Sequence, residues 1–556
     1  MNTKLSFVGL AALCAASTVP FQQAHAQAAD SALLNALVKK GVLSDQEAQQ
    51  IEAEDQKEYN ETAASKISLA SSIKSITVYG DLRLRYELRD GTTPAGYTGV
   101  GGAHLASADS QDLNRWRYRL RVGIKGTLYD NFFWGIRGAT NPYYDRSGNV
   151  NFGASDSAGP FGKSRSFLGI DQVYLGWHPA DDFTLIGGQM PNPLYTTNLI
   201  WSDDLNPAGA AEQWDHTFSN DFEVFATAGQ FVYQAAAGNG VTNGLGGNSS
   251  NYTTFMYAEQ VGFKYNFDKN TFFKGGATMY TYSGTVGSAS ATTVAGLYSG
   301  APNVENANGQ NSPSFFNGPF VGAASPFTSN VTGINDLAVL ETPMEFDFKI
   351  GPGVTTTHSG DPKDFKSMET TTTGWVLPMR IFADFAYNFE ADERADDARD
   401  AVTTMLNTGS SNTGVTSQAA GAQNAANRNM VASPAFQGVL SSGKEFLDQS
   451  AYQIGIEAGQ LKKKGDWDAK LWWQSTGYYA VDPNLIDADI FNAATNLQGV
   501  VVSVSHNWTD GLSSTLRYAH AMPVNGRLAT PNVNQDLQLG DIRQYNLFQA
   551  DLMWKF

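Results

Sequence analysis

The 556-residue chain has a single cysteine, Cys14. It falls inside an N-terminal stretch, "MNTKLSFVGLAALCAASTVPFQQAHAQ", that reads as a secretory signal peptide. Lys4 is the positive start, Leu5 to Val19 the apolar centre, and Ala24-His25-Ala26 the cleavage signal. Removing residues 1–26 leaves no cysteine, which excludes disulfides and thiolate chemistry. Long hydrophobic runs are also missing. After the leader nothing approaches the ~18 apolar residues of a spanning helix, so a membrane crossing would have to use strands. Positive charge is scarce: 37 Lys and Arg stand against 54 Asp and Glu, a net charge of −17. That balance argues against nucleic-acid binding. The seven histidines show no H-E-x-x-H spacing, and there is no G-x-S-x-G elbow. His506 and Ser514 share one parity on neighbouring strands, which is too little to make a hydrolase. No enzyme, cofactor or metal is expected.

Residues 27–70 differ from everything after them. Leu33, Leu34, Leu37 and Val38 have helical spacing, and Ser44-Asp45-Gln46-Glu47 is a capping box. They predict a short periplasmic helical prefix. From about residue 71 to 556 the pattern switches to period two. In "SITVYGDLRLRYELRD" one face carries Leu82, Leu84, Tyr86 and Leu88, and the other Asp81, Arg83, Arg85, Glu87 and Arg89. In "RWRYRLRVGIKGTLYD" Trp116, Tyr118, Leu120, Val122 and Ile124 alternate with Arg115, Arg117, Arg119, Arg121 and Lys125. On a helix, arginines two apart would scatter at steps of roughly 200°. On a strand they form one stripe.

The same texture recurs to the last residues, "NLFQADLMWKF", where Phe548, Ala550, Leu552, Trp554 and Phe556 share a face. Asn/Asp/Gly-rich turns alternate with long Gly/Ser/Thr-rich connections near 90–114, 141–166, 190–211, 235–252, 284–335 and 391–445. Short turns at one end and long loops at the other are the asymmetry of an outer-membrane β-barrel. The expected fold is therefore all-β: a transmembrane antiparallel barrel of about sixteen strands behind the helical prefix. The uncertain strand lies near 338–350 or near 366–376. Sixteen strands enclose a water-filled lumen, with the last strand closing the sheet.

Facing follows from cost. A basic side chain turned to lipid loses about 2–4 kcal/mol near the midplane. Arg83, Arg85, Arg89, Arg115, Arg117, Arg119, Arg121 and Lys125 should line the pore as a basic wall. So dense a cluster needs water, anions or carboxylates beside it. Asp203 and Asp204, in the proline-stiffened connection "GGQMPNPLYTTNLIWSDDLNP", are constriction-loop candidates. The other reading leaves them outside, at the pore mouth.

These segments resemble the putative porins of Gram-negative outer membranes. The resemblance rests on the leader, the prefix "LLNALVKKGVLSDQEAQQI", the strand "RWRYRLRVGIKGTLYDN" and the 187–207 loop. It continues in "KKKGDWDAKLWWQ" and "DADIFNAATNLQGVVVSVSHNWTDGLSSTLRYAHA". It covers most of the chain apart from about 284–365. Leu194 follows Asn192-Pro193 where that family often has an aromatic. The resemblance implies a homotrimeric porin in outer-membrane lipid, passing small hydrophilic solutes by diffusion. Assembly machinery would receive it through the strand ending in Phe556. Two alternatives stay open: a solute-selective anion channel, and a surface-binding barrel with a plugged lumen.

Overall fold

A strand in hydrocarbon must have its backbone paired on both edges. In the computed structural model sixteen antiparallel strands meet that requirement by closing into a barrel. The structure describes residues 72–92, 110–129, 131–141, 147–153, 167–219, 221–234, 254–283, 336–352, 355–358, 368–371, 375–396, 443–528 and 542–556, with Arg399, Gly438, Ser441 and Thr530 besides. The leader and helical prefix lie outside the described residues, as do the connections 93–109, 235–253 and 284–335.

The first half of the barrel runs β1 Ile73–Thr92, β2 Ser110–Leu128, β3 Phe132–Asn141, β4 Phe167–Ala180, β5 Phe183–Gln189, β6 Ala208–Ser219, β7 Phe222–Gln234 and β8 Thr254–Asn266. The second half begins with β9 Phe272–Ser283 and β10, which comes in two pieces, Val339–Glu341 and Met344–Ile350. It continues through β11 Leu377–Asn388, β12 Ser450–Gly459, β13 Trp467–Thr476, β14 Leu497–Asn507, β15 Leu512–Pro523 and β16 Gln544–Lys555. Val150–Asn151 extends the β3 edge by pairing with Arg117 and Tyr118 of β2.

Closure is made by β1 and β16, in register from Asp81 opposite Lys555 to Thr92 opposite Gln544. The last residue is part of the seam. Gly80 N donates to Phe556 O at 2.9 Å, and Phe556 N donates to Gly80 O at 3.1 Å. A Cβ on Gly80 would stand 2.3 Å from Arg121 O and 2.6 Å from the Phe556 ring, so only glycine lets the strands approach here.

The alternation sorts largely as the cost of lipid-facing charge requires, with Glu212 and Glu259, both beside Ala228, as outward exceptions. Leu88, Trp116, Val122, Ile124, Leu471, Phe548, Leu552 and Trp554 are exposed on the outer face. Arg83, Arg85, Glu87, Arg89, Arg117 and Arg119 are buried inside. The segment 339–350 is the barrel strand. Its rival near 366–376 instead supplies Met368–Thr371, which pairs with Thr355–His358 in a separate two-stranded sheet. That hairpin sits in the connection between β10 and β11, at the end of the barrel where the other connections are tight turns. The rule of short turns at that end therefore has one exception.

The lumen departs from the expectation of open water. Two connections at the opposite end, 190–207 and 477–496, turn inward and share an apolar cluster: Met190, Leu194, Leu199, Ile200 and Trp201 from the first, Val481, Leu485 and Ile486 from the second. Ser202 N donates to Leu485 O at 2.7 Å, joining them through their backbones.

Leu471 tests the outward assignment, being exposed between Ile456 and Val502. Leu471→Arg should lower stability by about 2–4 kcal/mol in urea unfolding of vesicle-embedded protein. Leu471→Gln should cost much less.

Candidate functional site

Nine charged residues of β1 and β2 face inward within two strands. A buried guanidinium without a partner is costly, so the wall must neutralise itself. Glu87 is the hub. Its carboxylate lies 3.0 Å from Arg89 Nε, 2.5 Å from Arg115 Nη2, and 3.8 Å from both Arg85 Nη1 and Arg117 Nη1. Gln549 of β16 donates to it at 2.9 Å. Asp81 takes Arg121 Nε at 2.7 Å and Arg119 Nη2 at 3.2 Å. Asp551 receives a two-pronged fork from Arg85, at 2.7 and 2.8 Å. Charge-assisted forks of this kind are the strongest geometry available to an arginine. Lys125 stands apart from the cluster. It is exposed, with Nζ 5.1 Å from the centre of the Tyr79 ring.

The strands supply too few carboxylates. Seven arginines (83, 85, 89, 115, 117, 119 and 121) face Asp81, Glu87 and Asp551. The inward connections add two more. Asp204 accepts from Arg119 Nη1 at 2.7 Å and from Gly148 N at 3.2 Å. Asp203, its neighbour, is exposed and is not brought to the arginines. It borders a cavity of about 310 Å³ together with Arg137, Asn192, Ser202 and Asn206. Arg137 is itself forked onto Asp171, with Nη2 at 2.6 Å.

The 190–207 connection is fastened at many points. Gly188 has φ +121°, and a Cβ there would meet Val173 O at 2.3 Å, so the strand bends in where glycine permits it. Thr196 Oγ1 donates to Glu341 Oε1 at 2.6 Å, and Thr197 Oγ1 donates to Asp384. Tyr195 N donates to Gln260 Oε1, and Gln260 Nε2 returns a bond to Tyr195 O, both at 2.8 Å. Leu194, in the place of the family's frequent aromatic, is buried in the shared apolar cluster.

The second carboxylate is Asp489, in the 477–496 connection, which sequence reasoning did not single out. It is 2.9 Å from Arg85 Nη1 and 3.3 Å from Arg83 Nη1. Around it the wall holds the loop's backbone. Arg89 Nη2 donates to Ala488 O and Asp489 O, Gln549 Nε2 to Asp489 O at 2.8 Å, and Tyr545 OH to Ile490 O at 2.7 Å. The available signal was apolar content. Tyr478, Tyr479, Val481, Leu485, Ile486, Ile490 and Phe491 are many for a connection facing water, and all are buried.

Across the lumen the charges are wetter. Arg380, two-fifths exposed, lies 3.0 Å from Asp347 and 3.5 Å from Glu457, and Lys470 lies 3.3 Å from Glu457. His506 and Ser514 are register partners near the turn end, but Ser514 Oγ accepts from Trp508 Nε1 at 3.0 Å and His506 meets the same indole edge-on. A closed barrel with a largely apolar outside, a charged inside and loops turned inward is a pore-former's arrangement.

Residues 103–318 match the putative porin family. The match runs into the 284–365 segment that the sequence motifs left out, and it stops short of the C-terminal motifs. Among solved structures, the outer-membrane channel DcaP of Acinetobacter baumannii is 10% identical, with a TM-score of 0.35 over 88% of this chain and 99% of that one. OprB of Pseudomonas putida is 9% identical, with a TM-score of 0.39 over 86% of this chain and 94% of that one. OmpF of Salmonella typhi is 7% identical, with a TM-score of 0.37 over 88% and 100%. At such scores these likenesses carry no weight, and the architecture rests on the strand pairing. No curated relative matches the chain.

Within this porin-like barrel, one carboxyl of the 477–496 loop is at odds with its surroundings. Burial, and then the charge of Asp489, push Asp487 up to about 7. A carboxyl raised in the folded state favours folding fully below its unfolded pKa near 3.9, and that contribution fades as pH climbs toward 7. Asp487→Asn should therefore stabilise the barrel by on the order of 2–4 kcal/mol at pH 8 and do little at pH 4. Denaturant titration at the two pH values checks this.

Proposed function

We propose that the chain is an outer-membrane porin through which small hydrophilic solutes and ions diffuse passively. The observation that carries the reading is the division of the closed barrel into a largely apolar outer face and an interior that holds the arginine cluster. The family match supports a channel, and a channel rather than an enzyme. Residues 1–26 serve as the export signal and 27–70 as a periplasmic prefix. The strand ending in Phe556 presents the barrel to the assembly machinery, and three copies associate in the lipid.

In this reading Arg83, Arg85, Arg89, Arg115, Arg117, Arg119, Arg121 and Lys125 belong to the pore wall, and the 190–207 loop narrows the passage. Asp204 is paired with Arg119 and Arg137 with Asp171, so the transverse field at the narrowing is set by these pairs together with Asp203 and the charges around Arg380. The excess of buried arginine over strand carboxylate favours an anion-preferring channel as the more specific version of this function.

Planar-bilayer conductance of the refolded chain tests the proposal. Stable current steps are expected, with a reversal potential across a salt gradient that favours anions. One charge acting through water at ~8 Å is worth about 0.5 kcal/mol, so Arg137→Gln should move the permeability ratio toward cations about twofold. Silence from a demonstrably folded barrel would replace the porin with the plugged, surface-binding alternative.

A further inference from the structure

The position of Asp489 is unusual for a structural ion pair. It comes from a connection rather than from the wall, and its carboxylate enters the wall end-on. Oδ1 meets Arg85 Nη1 at 2.9 Å and Asn149 Nδ2 at 3.4 Å, and Oδ2 meets Arg83 Nη1 at 3.3 Å. Two guanidinium groups and an amide converge on one carboxylate. That donor set recognises a small carboxylate whatever molecule bears it. The other partners of the same arginines are Asp551 of β16, which forks Arg85, and Asn149, next to the Val150–Asn151 pairing, whose Oδ1 accepts from Arg83 Nε and Nη2 at 3.1 and 2.7 Å. Asp489 is outside the strand ladder, so its side chain can leave the two guanidinium groups with the barrel intact.

The loop that carries it is held by contacts against its backbone preference. Asn492, Ala493 and Asn496 have φ of 60°, 50° and 56°. For alanine the left-handed region costs about 1–2 kcal/mol, so such a conformation persists only where its surroundings impose it. Arg89 also grips the loop by its carbonyls and by Asn492 Oδ1, at 3.1 Å. The Asp489 carboxylate is thus one of several ties on the loop, and the one a solute anion can replace.

We propose that the Arg83–Arg85–Asn149 cluster is a binding site for small carboxylate solutes, occupied in the resting protein by the chain's own Asp489. A solute carboxylate entering the lumen competes with Asp489 for the two guanidinium groups. Its binding displaces the Asp489 side chain from the wall, while the apolar packing and the Arg89, Gln549 and Tyr545 bonds keep the 477–496 loop in place. The inference builds on the channel reading, since it supplies that channel with a solute class and an internal competitor.

The test uses full-length refolded protein in detergent, with succinate as the probe, measured by calorimetry at constant ionic strength. Asp489→Asn removes the competing charge and should bind succinate at least ~10-fold more tightly than wild type, a gap of about 1.4 kcal/mol. Adding Arg85→Gln to that variant should abolish the gain. Equal affinity in wild type and D489N overturns the proposal. If D489N fails to assemble, the wild-type chain still decides. Succinate should give a saturable binding heat with wild type that chloride at the same ionic strength does not give, and no such heat overturns it. Failure of the channel reading is separately visible: a barrel silent in bilayers that still shows the D489N gain keeps the site and loses the porin. A conducting barrel without the gain keeps the porin and loses the site.

Discussion

Charge cannot face hydrocarbon, and the rest of the interior follows from that. Once β1 and β2 carry arginine at every second position, the bilayer decides which way those positions point. Inside, the same side chains meet a second constraint. Packed on adjacent strands they exclude most of the water between them, so each needs a fixed anion. Glu87, Asp81 and Asp551 meet part of that need from within the sheet. The remainder comes from connections, Asp204 from 190–207 and Asp489 from 477–496 among the described residues.

Each inward connection combines a carboxylate with an apolar stretch, and the two parts do different work. In 190–207 the sequence Leu199-Ile200-Trp201 is buried while Asp204, three residues on, reaches Arg119. In 477–496 Leu485 and Ile486 join the same apolar cluster while Asp489, again three residues on, reaches Arg83 and Arg85. Burying such side chains contributes about 1.5–3 kcal/mol each. That is comparable with the net worth of a good buried ion pair, and it does not depend on charge. Apolar packing thus holds each loop at the depth where its carboxylate can find the wall.

The barrel was largely legible because its signal is periodic. Leu82 to Arg89 and Arg115 to Ile124 announce strand, facing and charge in one pattern, and Phe548 to Phe556 announce the closing strand. The strand at 339–350 was harder, since the chain interrupts it at Thr342 and Pro343 and its alternation breaks there. The interior loops were legible only in part. Prolines and paired aspartates marked 190–207, but its neighbour was hidden because an inward loop has no period. Its mark is composition, seven large apolar residues in a connection, and weighing it requires knowing that the connection is not a strand. The pairing of Asp489 with arginines some four hundred positions away has no local trace, because closure of the sheet creates that contact.

Sixteen strands also enclose more space than their own side chains can fill. Part of it stays wet, around Arg380 and Lys470. The rest is filled with imported backbone, and that backbone carries its own hydrogen-bonding demands. The wall answers them with side chains: Tyr545 and Gln549 of the closing strand donate to loop carbonyls, Asn388 of β11 donates to Tyr479 O, and Gln260 of β8 both donates to and accepts from Tyr195. Arg89 does so while paired with Glu87. A loop bound this way is neither a loose plug nor part of the sheet. Its polar bonds run singly to side chains, whereas the strands around it are joined by a continuous backbone ladder. The barrel therefore holds its wall through backbone pairing and the contents of its lumen through side chains, polar and apolar together.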